Sequence, residues 1–481
     1  MKLCDVIKGL AVEKTIGNIE IDVKDVKADS NRVMPGSMFI CLKGGDYDGH
    51  QYVKQAENYG CGVIVSEKEL QCSTTQIIVK DTRVAMSVIA SNFFHNADKK
   101  LKIIGVIGTN GKTTTTHLIA KILKDAGENC GIIGTLGIFY NDKIIEPTLT
   151  TPDPLELHKI FNDIYLSGVT TVVMEVSAHA VFFNKVHGIN FEVGVFTNFS
   201  RDHLDFFNTM EEYKKVKAKF FENNFCKYIV VNADDDLGIE LENRYPKSIS
   251  YAIENPADVF AMDIKQAKNG QQFILNLFDC VYNVKISLMG LFNVYNVLAS
   301  ATTCALMGVG TNRVVSAIKN IKSVSGRMEK IYDDKFTIYV DYAHTPDGLY
   351  KVLSALKCST KGRLICVFGC GGNRDEGKRK EMGKVSASLA DFTVITSDNT
   401  RYEEPMSIIC EIEKGVLEVS KSYVLVQDRY QATEYAINMA KSGDVIIIAG
   451  KGSEKYQEIL GIKRPYNDKD SVEEILRRRG K

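Results

Sequence analysis

The chain has 481 residues, more than one hydrophobic core usually supports, and at about 150 residues per domain its length predicts roughly three domains. Hydrophobic residues make up 44% of the chain and charged residues 25%, a globular composition that excludes a disordered or fibrous protein. The 60 basic and 60 acidic side chains cancel, so no overall charge favours nucleic acid or a membrane as a partner. The first ten residues do not resemble a signal peptide, and no apolar run approaches the length of a membrane span. We therefore expect a cytoplasmic protein whose 12 cysteines stay reduced and bind no metal.

The first hundred residues predict one small α/β unit. Short β-rich runs occupy residues 37–42, 63–66 and 76–79, and residues 84–94 have apolar side chains at helical spacing. A polar stretch follows before the next apolar run begins at residue 102. We therefore place a first domain at residues 1–100.

A glycine-rich loop then separates a predicted strand from a predicted helix that extends to Gly127. Backbone N–H groups in such a loop, together with the helix N-terminus, bind phosphate groups. Lys112 would neutralise phosphate charge and Thr113 would bind Mg²⁺, although the spacing departs from the usual Walker pattern. A glycine turn without a nucleotide is the alternative, but the strand–loop–helix context favours ATP. The candidate ATP-binding residues of this loop are Gly108, Thr109, Asn110, Gly111, Lys112, Thr113 and Thr114.

Short apolar runs that end in a polar cluster recur through the rest of the chain. Continuous apolar runs of this kind are typical of parallel strands buried on both faces, and ligands bind beyond the carboxyl ends of such strands. Residues 326–329 divide the runs into two sets, so we predict a central domain at 101–325 and a C-terminal domain at 326–481. The runs cover residues 172–174, 193–196, 228–231, 338–340, 364–368, 392–395 and 445–448.

Two of these polar clusters contain side chains that can bind a metal ion. Glu175 and His203 each follow an apolar strand downstream of the phosphate loop. Their pairing favours a metal site over the separate alternatives of a helix cap and a structural histidine. Lys217 lies in a basic run that is, by itself, typical of a solvated helix face.

Together the motifs resemble those of the Mur ligase family, ATP-dependent enzymes that form amide bonds in peptidoglycan synthesis. The resemblance implies an α/β protein of three domains. These are an N-terminal domain that binds the UDP substrate, a central P-loop ATPase domain with a parallel sheet, and a C-terminal Rossmann-like domain that binds the incoming amino acid. The matching segments are residues 108–114 (GTNGKTT), 150–152 (TTP), 174–177 (MEVS), 197–205 (TNFSRDHLD), 290–296 (GLFNVYN), 326–329 (GRME), 341–346 (DYAHTP), 369–374 (GCGGNR) and 449–452 (AGKG).

Within the family, the chain looks like the enzymes that add the third amino acid of the peptide. The resemblance implies that a carboxylate of UDP-N-acetylmuramoyl-L-alanyl-D-glutamate attacks the γ-phosphate of ATP, and that the amine of meso-diaminopimelate then attacks the acyl phosphate. It implies that Lys217 is carbamylated, and hence that Thr113, Glu175, His203 and the modified Lys217 bind Mg²⁺; Lys219 is the less favoured candidate for the modification. Lys112, Glu175, His203 and Lys217 are the implied catalytic residues.

The resemblance also implies three sets of binding residues. Further contacts to ATP fall on Asn293, Asn296, Arg327, Asp341 and His344, although the asparagines alone could be helix caps. Contacts to the UDP-muramoyl substrate fall on Ser30, Gly45, Asp46 and Tyr47 for its uridine nucleotide, on Thr150, Thr151 and Ser177 for its muramoyl part, and on Lys185. Contacts to the amino acid fall on Arg374, Asp398, Asn399, Thr400, Arg401, Gly450 and Glu454.

Several positions depart from the family pattern. Phe183 and Lys185 replace a common Gln and Arg, so a hydrogen-bonding amide and a bidentate guanidinium are lost from the substrate surface. Asn31 replaces a common Arg, and Phe207 and Ser453 each replace a common His. These changes leave open a paralogue that acts on a different acceptor. A nucleotide-dependent binding or regulatory protein is a further alternative, but the complete catalytic set favours an enzyme.

The segment Asp398-Asn-Thr-Arg401 bears on which amino acid is added. Meso-diaminopimelate carries a carboxylate that L-lysine lacks, and a guanidinium binds a carboxylate bidentately. The family's diaminopimelate enzymes have Asp-Asn-Pro-Arg here, whereas its lysine-adding enzymes lack the arginine. Arg401 therefore favours diaminopimelate, with an L-lysine-adding enzyme as the alternative. Thr400, in place of proline, is expected to loosen the loop.

Overall fold

The computed structural model describes residues 1–45, 47–146, 148–222, 225–267 and 270–480. Residues 1–100 contain α1 (Leu3–Val6), β1 (Val12–Ile16), β2 (Asp25–Lys27), β3 (Ser37–Ile40), α2 (Val53–Asn58), β4 (Val63–Ser66), β5 (Thr75–Val79) and α3 (Thr82–Phe93). Residues 101–325 contain β6 (Lys102–Ile107), α4 (Lys112–Asp125), β7 (Cys130–Gly134), β8 (Gly137–Tyr140), β9 (Lys143–Ile145), α5 (Pro154–Leu166), β10 (Thr171–Val176), α6 (Ala178–Phe182), β11 (Phe191–Phe196), α7 (Met210–Lys219), β12 (Cys226–Asn232), α8 (Asp236–Arg244), β13 (Ile249–Ala252), β14 (Val259–Ala267), β15 (Gly270–Leu277), β16 (Cys280–Ile286), α9 (Leu291–Leu306) and α10 (Thr311–Lys319). Residues 326–480 contain β17 (Glu329–Asp333), β18 (Thr337–Asp341), α11 (Pro346–Lys357), β19 (Leu364–Phe368), α12 (Gly377–Leu389), β20 (Phe392–Ile395), α13 (Pro405–Leu417), β21 (Tyr423–Leu425), α14 (Arg429–Met439), β22 (Val445–Ala449), β23 (Tyr456–Ile459), β24 (Ile462–Pro465) and α15 (Asp468–Arg479).

The chain divides into two compact units. The first unit comprises residues 1–107, 127–194 and 216–228, and the second comprises 108–126, 195–215 and 229–481. The predicted α/β class with parallel sheets is confirmed, whereas the predicted domain limits at residues 100 and 325 stay predictions. No helix in the described ranges is both long and apolar enough to cross a membrane.

The first unit contains a five-stranded sheet with the strand order β1-β5-β4-β3-β2. Strands β2 to β5 run parallel, and β1 pairs antiparallel with β5. Alternate side chains of β3 serve two cores: Met38 and Ile40 pack in the cluster that contains residues of α3, and Phe39 packs in the cluster that contains residues of α2. The predicted helix 84–94 begins earlier, at Thr82, because the Asp81 side chain caps its first turn.

The first unit also contains parallel strands from the middle of the chain. Strands β6, β10 and β7 are adjacent and parallel, and β8 and β9 extend this sheet as antiparallel hairpins. Residues of β10 are buried on both faces, as the continuous apolar run predicts. Glu175 therefore occupies a buried position near the carboxyl end of a central strand.

In the second unit, the C-terminal sheet has the order β17-β18-β22-β19-β20-β21 and is parallel apart from β17. Successive residues of β22 enter two different cores. Ile447 packs with residues of α11, α12 and α13, and Ile446 and Ile448 pack with residues of α14 and α15. Helices thus cover both faces, and the carboxyl ends of β18, β19, β20 and β22 bring their polar clusters to one edge.

A second sheet region of the same unit contains β12, β13 and β14 in parallel, followed by β15 and β16 in antiparallel pairing. The antiparallel β14–β15–β16 segment is not among the predicted strands, since its apolar residues alternate with polar ones instead of forming continuous runs.

Candidate active site

The phosphate loop is held by the segment that follows β11. The backbone N–H groups of Thr109 and Asn110 donate to the backbone and side-chain oxygens of Asn198, at 2.8 and 3.0 Å. The Thr197 hydroxyl donates to the carbonyl of Asn110 at 2.7 Å. Gly111 has φ +85°, and a Cβ there would lie 2.5 Å from Asn296 Oδ1. The loop conformation therefore depends on glycine and on two downstream motifs.

Lys112 and Thr113 occupy the first turn of α4. The Lys112 ammonium donates to the carbonyls of Gly108 and Thr109, both at 2.9 Å, so its charge stays over the loop. Arg327 Nη2 donates to the Thr113 hydroxyl at 2.8 Å, and the Arg327 guanidinium lies 4.3 Å from the centre of the Tyr342 ring. The structure thus brings residue 327 onto the phosphate loop, 214 positions away along the chain.

The other predicted ATP residues lie in the same unit. Asn293 and Asn296 are buried inside α9, whose N-cap is Gly290, so the alternative that they are helix caps is wrong. Asn296 receives a hydrogen bond from Thr115 at 3.2 Å. The Asp341 carboxylate accepts backbone hydrogen bonds at 2.6 and 2.7 Å, and burial raises its pKa.

His203 and His344 approach the same carboxylate, that of Asp202. Their Nε2 atoms lie 3.4 and 3.9 Å from Asp202 Oδ2. The pKa of Asp202 is well below its usual range: burial alone would raise it, but the two histidines, Lys378 and a backbone N–H outweigh that effect. His203 has φ +55°, a conformation that a histidine seldom adopts.

Glu175 belongs to the first unit and is fixed by Thr135. Glu175 Oε1 accepts from the Thr135 backbone N–H at 2.9 Å, and Oε2 accepts from the Thr135 hydroxyl at 3.1 Å. A Cβ at Gly134 would lie 2.3 Å from Glu175 Oε1, so only glycine leaves room for the carboxylate. The result is an oriented, buried anion.

Lys217 is only 1% exposed, so the alternative of a solvated helix face is wrong for this lysine. Lys219, two residues further on, is exposed. In the described ranges no three His, Cys, Asp or Glu side chains are close enough to hold a metal ion. Of the four predicted Mg²⁺ ligands, only Glu175 and His203 belong to these residue types. The other two are Thr113 and the modified Lys217. Its hydroxyl, carboxylate and carbamate oxygens are ligands that suit Mg²⁺.

The predicted contacts to the UDP-muramoyl substrate fall in the first unit. Thr151 links Ser177 to β10, since its hydroxyl donates to Glu175 O at 2.9 Å and accepts from Ser177 N–H at 3.0 Å. Thr150 Oγ1 lies 3.2 Å from the Thr135 hydroxyl. Lys185 is buried and pairs with Asp153 at 2.8 Å.

The predicted uridine contacts lie near α2. The buried Ser30 hydroxyl donates to Gln55 Oε1 at 3.2 Å, and the amide of Gln55 donates to Asn31 Oδ1 at 2.9 Å. Tyr47 is 54% exposed. Gly45 has open space around it, whereas Asp46 lies outside the described residues.

The predicted amino-acid contacts converge at the edge of the C-terminal sheet. Asn399 Nδ2 donates to Glu454 Oε2 at 3.0 Å, and the fully buried Lys451 donates to Asn399 Oδ1 at 2.9 Å and to Glu454 Oε2 at 2.7 Å. A Cβ at Gly450 would lie 2.6 Å from Asp398 Oδ2. Burial alone would raise the pKa of Asp398, but Lys451 and a second buried cation, Arg429, hold it below its usual value.

Arg401 and Arg374 occupy two different positions at this edge. Arg401 Nη1 donates to Gly372 O at 2.7 Å, and its Nε lies 3.6 Å from Glu458. Backbone hydrogen bonds from Arg401 N to Glu458 O and from Leu460 N to Arg401 O restrain this loop independently of Thr400. Arg374 Nη1 donates to Asp205 Oδ2 at 3.2 Å.

Three residues of this region are not among the predicted site residues. Asp202 lies in the matching segment 197–205 and Lys451 in the segment 449–452, but neither is among the predicted contacts. Arg429 has no local signal, because its importance arises from contacts with Asp398 and Asp468, which are distant in the chain.

A glycine-rich loop between a strand and a helix, in a parallel α/β framework with a doubly wound C-terminal sheet, is typical of nucleotide-binding proteins. Three family models match: "Mur ligase family, catalytic domain" at residues 22–110, "Mur ligase middle domain" at 106–304, and "Mur ligase, glutamate ligase domain" at 326–452. The chain belongs to the Mur ligase family, which confirms the resemblance inferred from the motifs.

Similar proteins extend over the whole chain. A protein of Caldanaerobacter subterraneus subsp. tengcongensis named UDP-N-acetylmuramoyl-L-alanyl-D-glutamate--2,6-diaminopimelate ligase is 40% identical over 480 residues, covering 99% of each chain. A protein of Clostridium acetobutylicum with the same name and the number 1 is 40% identical over 484 residues, again covering 99% of each. A solved structure of a UDP-N-acetylmuramoyl-L-alanyl-D-glutamate--2,6-diaminopimelate ligase has a TM-score of 0.72 and 31% identity, covering 100% of this chain and 99% of the other.

Proposed function

We propose that this chain is an ATP-dependent ligase that joins meso-diaminopimelate to UDP-N-acetylmuramoyl-L-alanyl-D-glutamate in peptidoglycan synthesis. The observation that carries the proposal is the contact of Arg327 with Thr113 at 2.8 Å. This contact joins the start of the C-terminal region to the phosphate loop. The same compact unit contains both the candidate ATP residues and the candidate amino-acid residues. The names of the full-length relatives supply the substrates.

The reaction needs an activated carboxylate, because a carboxylate anion does not react with an amine at a useful rate. Transfer of the γ-phosphoryl group from ATP to the D-glutamate carboxylate gives an acyl phosphate and ADP. The amine of the amino acid then attacks the acyl carbon, forming the amide and releasing phosphate. The Lys112 ammonium, close to the loop carbonyls, is placed to stabilise charge on the transferring group.

In the second unit Thr113 and His203 would bind Mg²⁺, which would neutralise charge on the phosphate oxygens. In the first unit the predicted Mg²⁺ ligands are Glu175 and a carbamylated Lys217. Thr135 orients Glu175 through two hydrogen bonds, at 2.9 and 3.1 Å. Burial of Lys217 supports the carbamate, since it sets this lysine apart from the solvated lysines of the same helix. Asp202 would orient His203.

Specificity for diaminopimelate would come from the edge that contains Arg401, Asn399 and Glu454. Arg401 would bind the distal carboxylate, and Glu454, linked to Asn399, is an acceptor for the amino acid's ammonium group. Arg374, now paired with Asp205, would be a second cation for a carboxylate. A cytoplasmic location, expected from the sequence, stays a prediction.

The test is a ligation assay that uses purified full-length chain, ATP, Mg²⁺ and UDP-N-acetylmuramoyl-L-alanyl-D-glutamate with a panel of amino acids, read by mass spectrometry. We expect one product, with meso-diaminopimelate added. Equal ligation of L-lysine would contradict the specificity, and phosphate release without any ligated product would point to a different acceptor. No phosphate release with any acceptor would favour the regulatory alternative.

A further inference from the structure

Arg83, in the first turn of α3, contacts two segments that the family resemblance places at the acceptor substrate. Its Nη2 donates to the carbonyl of Lys43, at the start of the loop that contains Gly45 and Tyr47. Its guanidinium carbon lies 4.5 Å from the centre of the Phe183 ring. The guanidinium therefore contacts both the predicted uridine loop and the segment between the predicted substrate contacts Ser177 and Lys185.

The position of Arg83 is fixed by hydrogen bonds between α3 and the loop after α6. The Asp81 carboxylate caps α3 by accepting from the backbone N–H groups of Arg83 and Val84, at 2.8 and 3.1 Å. Its second oxygen accepts from the Asn184 amide at 3.4 Å, and the Ser87 hydroxyl donates to the Asn184 carbonyl at 2.8 Å. Asn184 follows Phe183 directly, so the helix and the ring beneath the guanidinium are joined.

Arg83 retains the capacity to bind an anion. In the described ranges the guanidinium contacts the Lys43 carbonyl and the Phe183 ring, and neither neutralises its charge. A guanidinium has five N–H donors, so one hydrogen bond leaves several for a ligand. Lys185, which replaces the family's substrate-binding arginine, is different because its ammonium pairs with Asp153 at 2.8 Å.

We propose that Arg83 binds the diphosphate of the UDP-muramoyl substrate, and that Phe183 holds the guanidinium in place by stacking. In a UDP-sugar the diphosphate is bonded to the uridine on one side and to the sugar on the other. Arg83 contacts the predicted uridine loop and the segment that follows the predicted muramoyl contact Ser177. An arginine fork matches phosphate oxygens, and an aromatic face attracts the cation. This proposal also explains why Phe183 replaces the family's common glutamine, because glutamine has no ring on which a guanidinium can stack. The inference rests on the proposed function for the identity of the substrate.

The experiment compares UDP with uridine as competitive inhibitors of ligation by the wild type, Arg83→Ala and Arg83→Lys. We expect Arg83→Ala to raise the inhibition constant of UDP about ten- to a hundredfold, as for loss of hydrogen bonds to a charged group. The constant for uridine should stay unchanged, because uridine has no phosphate. The inhibition constant of UDP for Arg83→Lys should lie between those for the wild type and Arg83→Ala, because lysine keeps the charge but lacks the bidentate guanidinium. Lys14→Ala, at an exposed lysine paired with Glu69 in the same unit, is the matched control and should leave both constants unchanged.

A second variant, Phe183→Leu, tests the stacking. It should weaken UDP inhibition in the wild-type background and have no further effect in the Arg83→Ala background, because the two side chains would act as a pair. Equal weakening of UDP and uridine in Arg83→Ala would mean a structural role and would overturn the inference, as would an unchanged inhibition constant for UDP. If the wild type ligates nothing, the proposed function fails, and calorimetric titration of the same variants with UDP and uridine still decides the role of Arg83.

Discussion

Hydrogen bonds to its own loop position the Lys112 side chain. Its ammonium donates to two loop carbonyls, and a bound phosphate would accept from the same nitrogen. The side chain is half-buried and makes no large contribution to the core. Its removal should therefore affect the chemistry much more than the stability.

We predict that Lys112→Ala lowers kcat by about two to three orders of magnitude, the loss typical of a group that stabilises transition-state charge. The melting temperature without ligand should change little. Lys121→Ala, at an exposed position in the same helix, is the control and should retain full activity. Near-normal turnover in Lys112→Ala would exclude residues 108–114 as the phosphate loop.

Lys217 and Lys219 form a natural pair for testing the carbamate, since the first is buried and the second exposed on one helix. We predict that isotope-labelled bicarbonate gives a carbamate carbon signal in the wild type that Lys217→Ala abolishes and Lys219→Ala retains. Activity should follow the same pattern. An active Lys217→Ala enzyme would contradict the modification.

Arg401 is 23% exposed and has a left-handed backbone conformation, with φ +51°. Its guanidinium contacts Gly372 O and, at 3.6 Å, the Glu458 carboxylate. A ligand carboxylate would compete with these two contacts for the guanidinium. We predict that Arg401→Ala raises KM for diaminopimelate about tenfold to a hundredfold, as for a lost charged hydrogen bond, with little change in KM for ATP. A comparable increase in both constants would indicate distortion of the site instead of lost recognition.

At the scale of elements, Arg429 joins the last two helices to the amino-acid edge. It begins α14 and is completely buried. Its Nε and Nη2 donate to the two carboxylate oxygens of Asp468, at the start of α15, at 2.8 and 2.9 Å. Nη2 also donates to Ala449 O, at the end of β22, at 2.9 Å. The ion pair thus fixes the strand end that precedes Gly450.

We predict that Arg429→Ala lowers the free energy of unfolding of the C-terminal region by about 3–5 kcal/mol, because the Asp468 carboxylate is left buried without its partner. Chemical denaturation followed by circular dichroism measures this loss. The matched control is Arg478→Ala, which removes an exposed pair with Glu474 on α15 and should cost less than about 1 kcal/mol. Equal losses in the two variants would refute a special contribution of the buried pair.

The sequence predicts strands well where burial on both faces produces a continuous apolar run. Residues 364–368 and 392–395 match β19 and β20, and the helix after the phosphate loop ends at Asp125, two residues before Gly127. Side-chain pairs such as Arg429 with Asp468, or Arg83 with Phe183, leave no periodic signal, because each depends on how distant segments pack. The candidate site was accordingly predictable as motifs, while the residues that position those motifs were not.

At the scale of the whole molecule, zero formal charge does not imply that stability is insensitive to pH. Three histidines, His117, His187 and His344, have pKa values below the ordinary 6.5, and burial is the largest cause for each. For His117, burial with Arg327 and Lys124 nearby lowers the pKa to about 4. These histidines are neutral in the folded protein near neutral pH.

We predict that the protein loses stability as the pH falls from about 6.5 towards 4, because the unfolded chain binds protons there that the folded protein does not. For His117 alone, the shift from 6.5 to about 4 corresponds to a loss of roughly 3 kcal/mol across that range, at about 1.4 kcal/mol per pKa unit. Carboxylates with lowered pKa values, such as Asp202, begin to add to the loss at about pH 5, where the carboxylates of the unfolded chain begin to bind protons. Measurements between pH 6.5 and about 5 therefore isolate the histidines. Thermal unfolding of the wild type and of His117→Gln at several pH values tests this, and the variant should show a smaller decrease in melting temperature across the interval. Identical pH dependence in the two proteins would mean that His117 titrates in the folded state as it does in the unfolded chain.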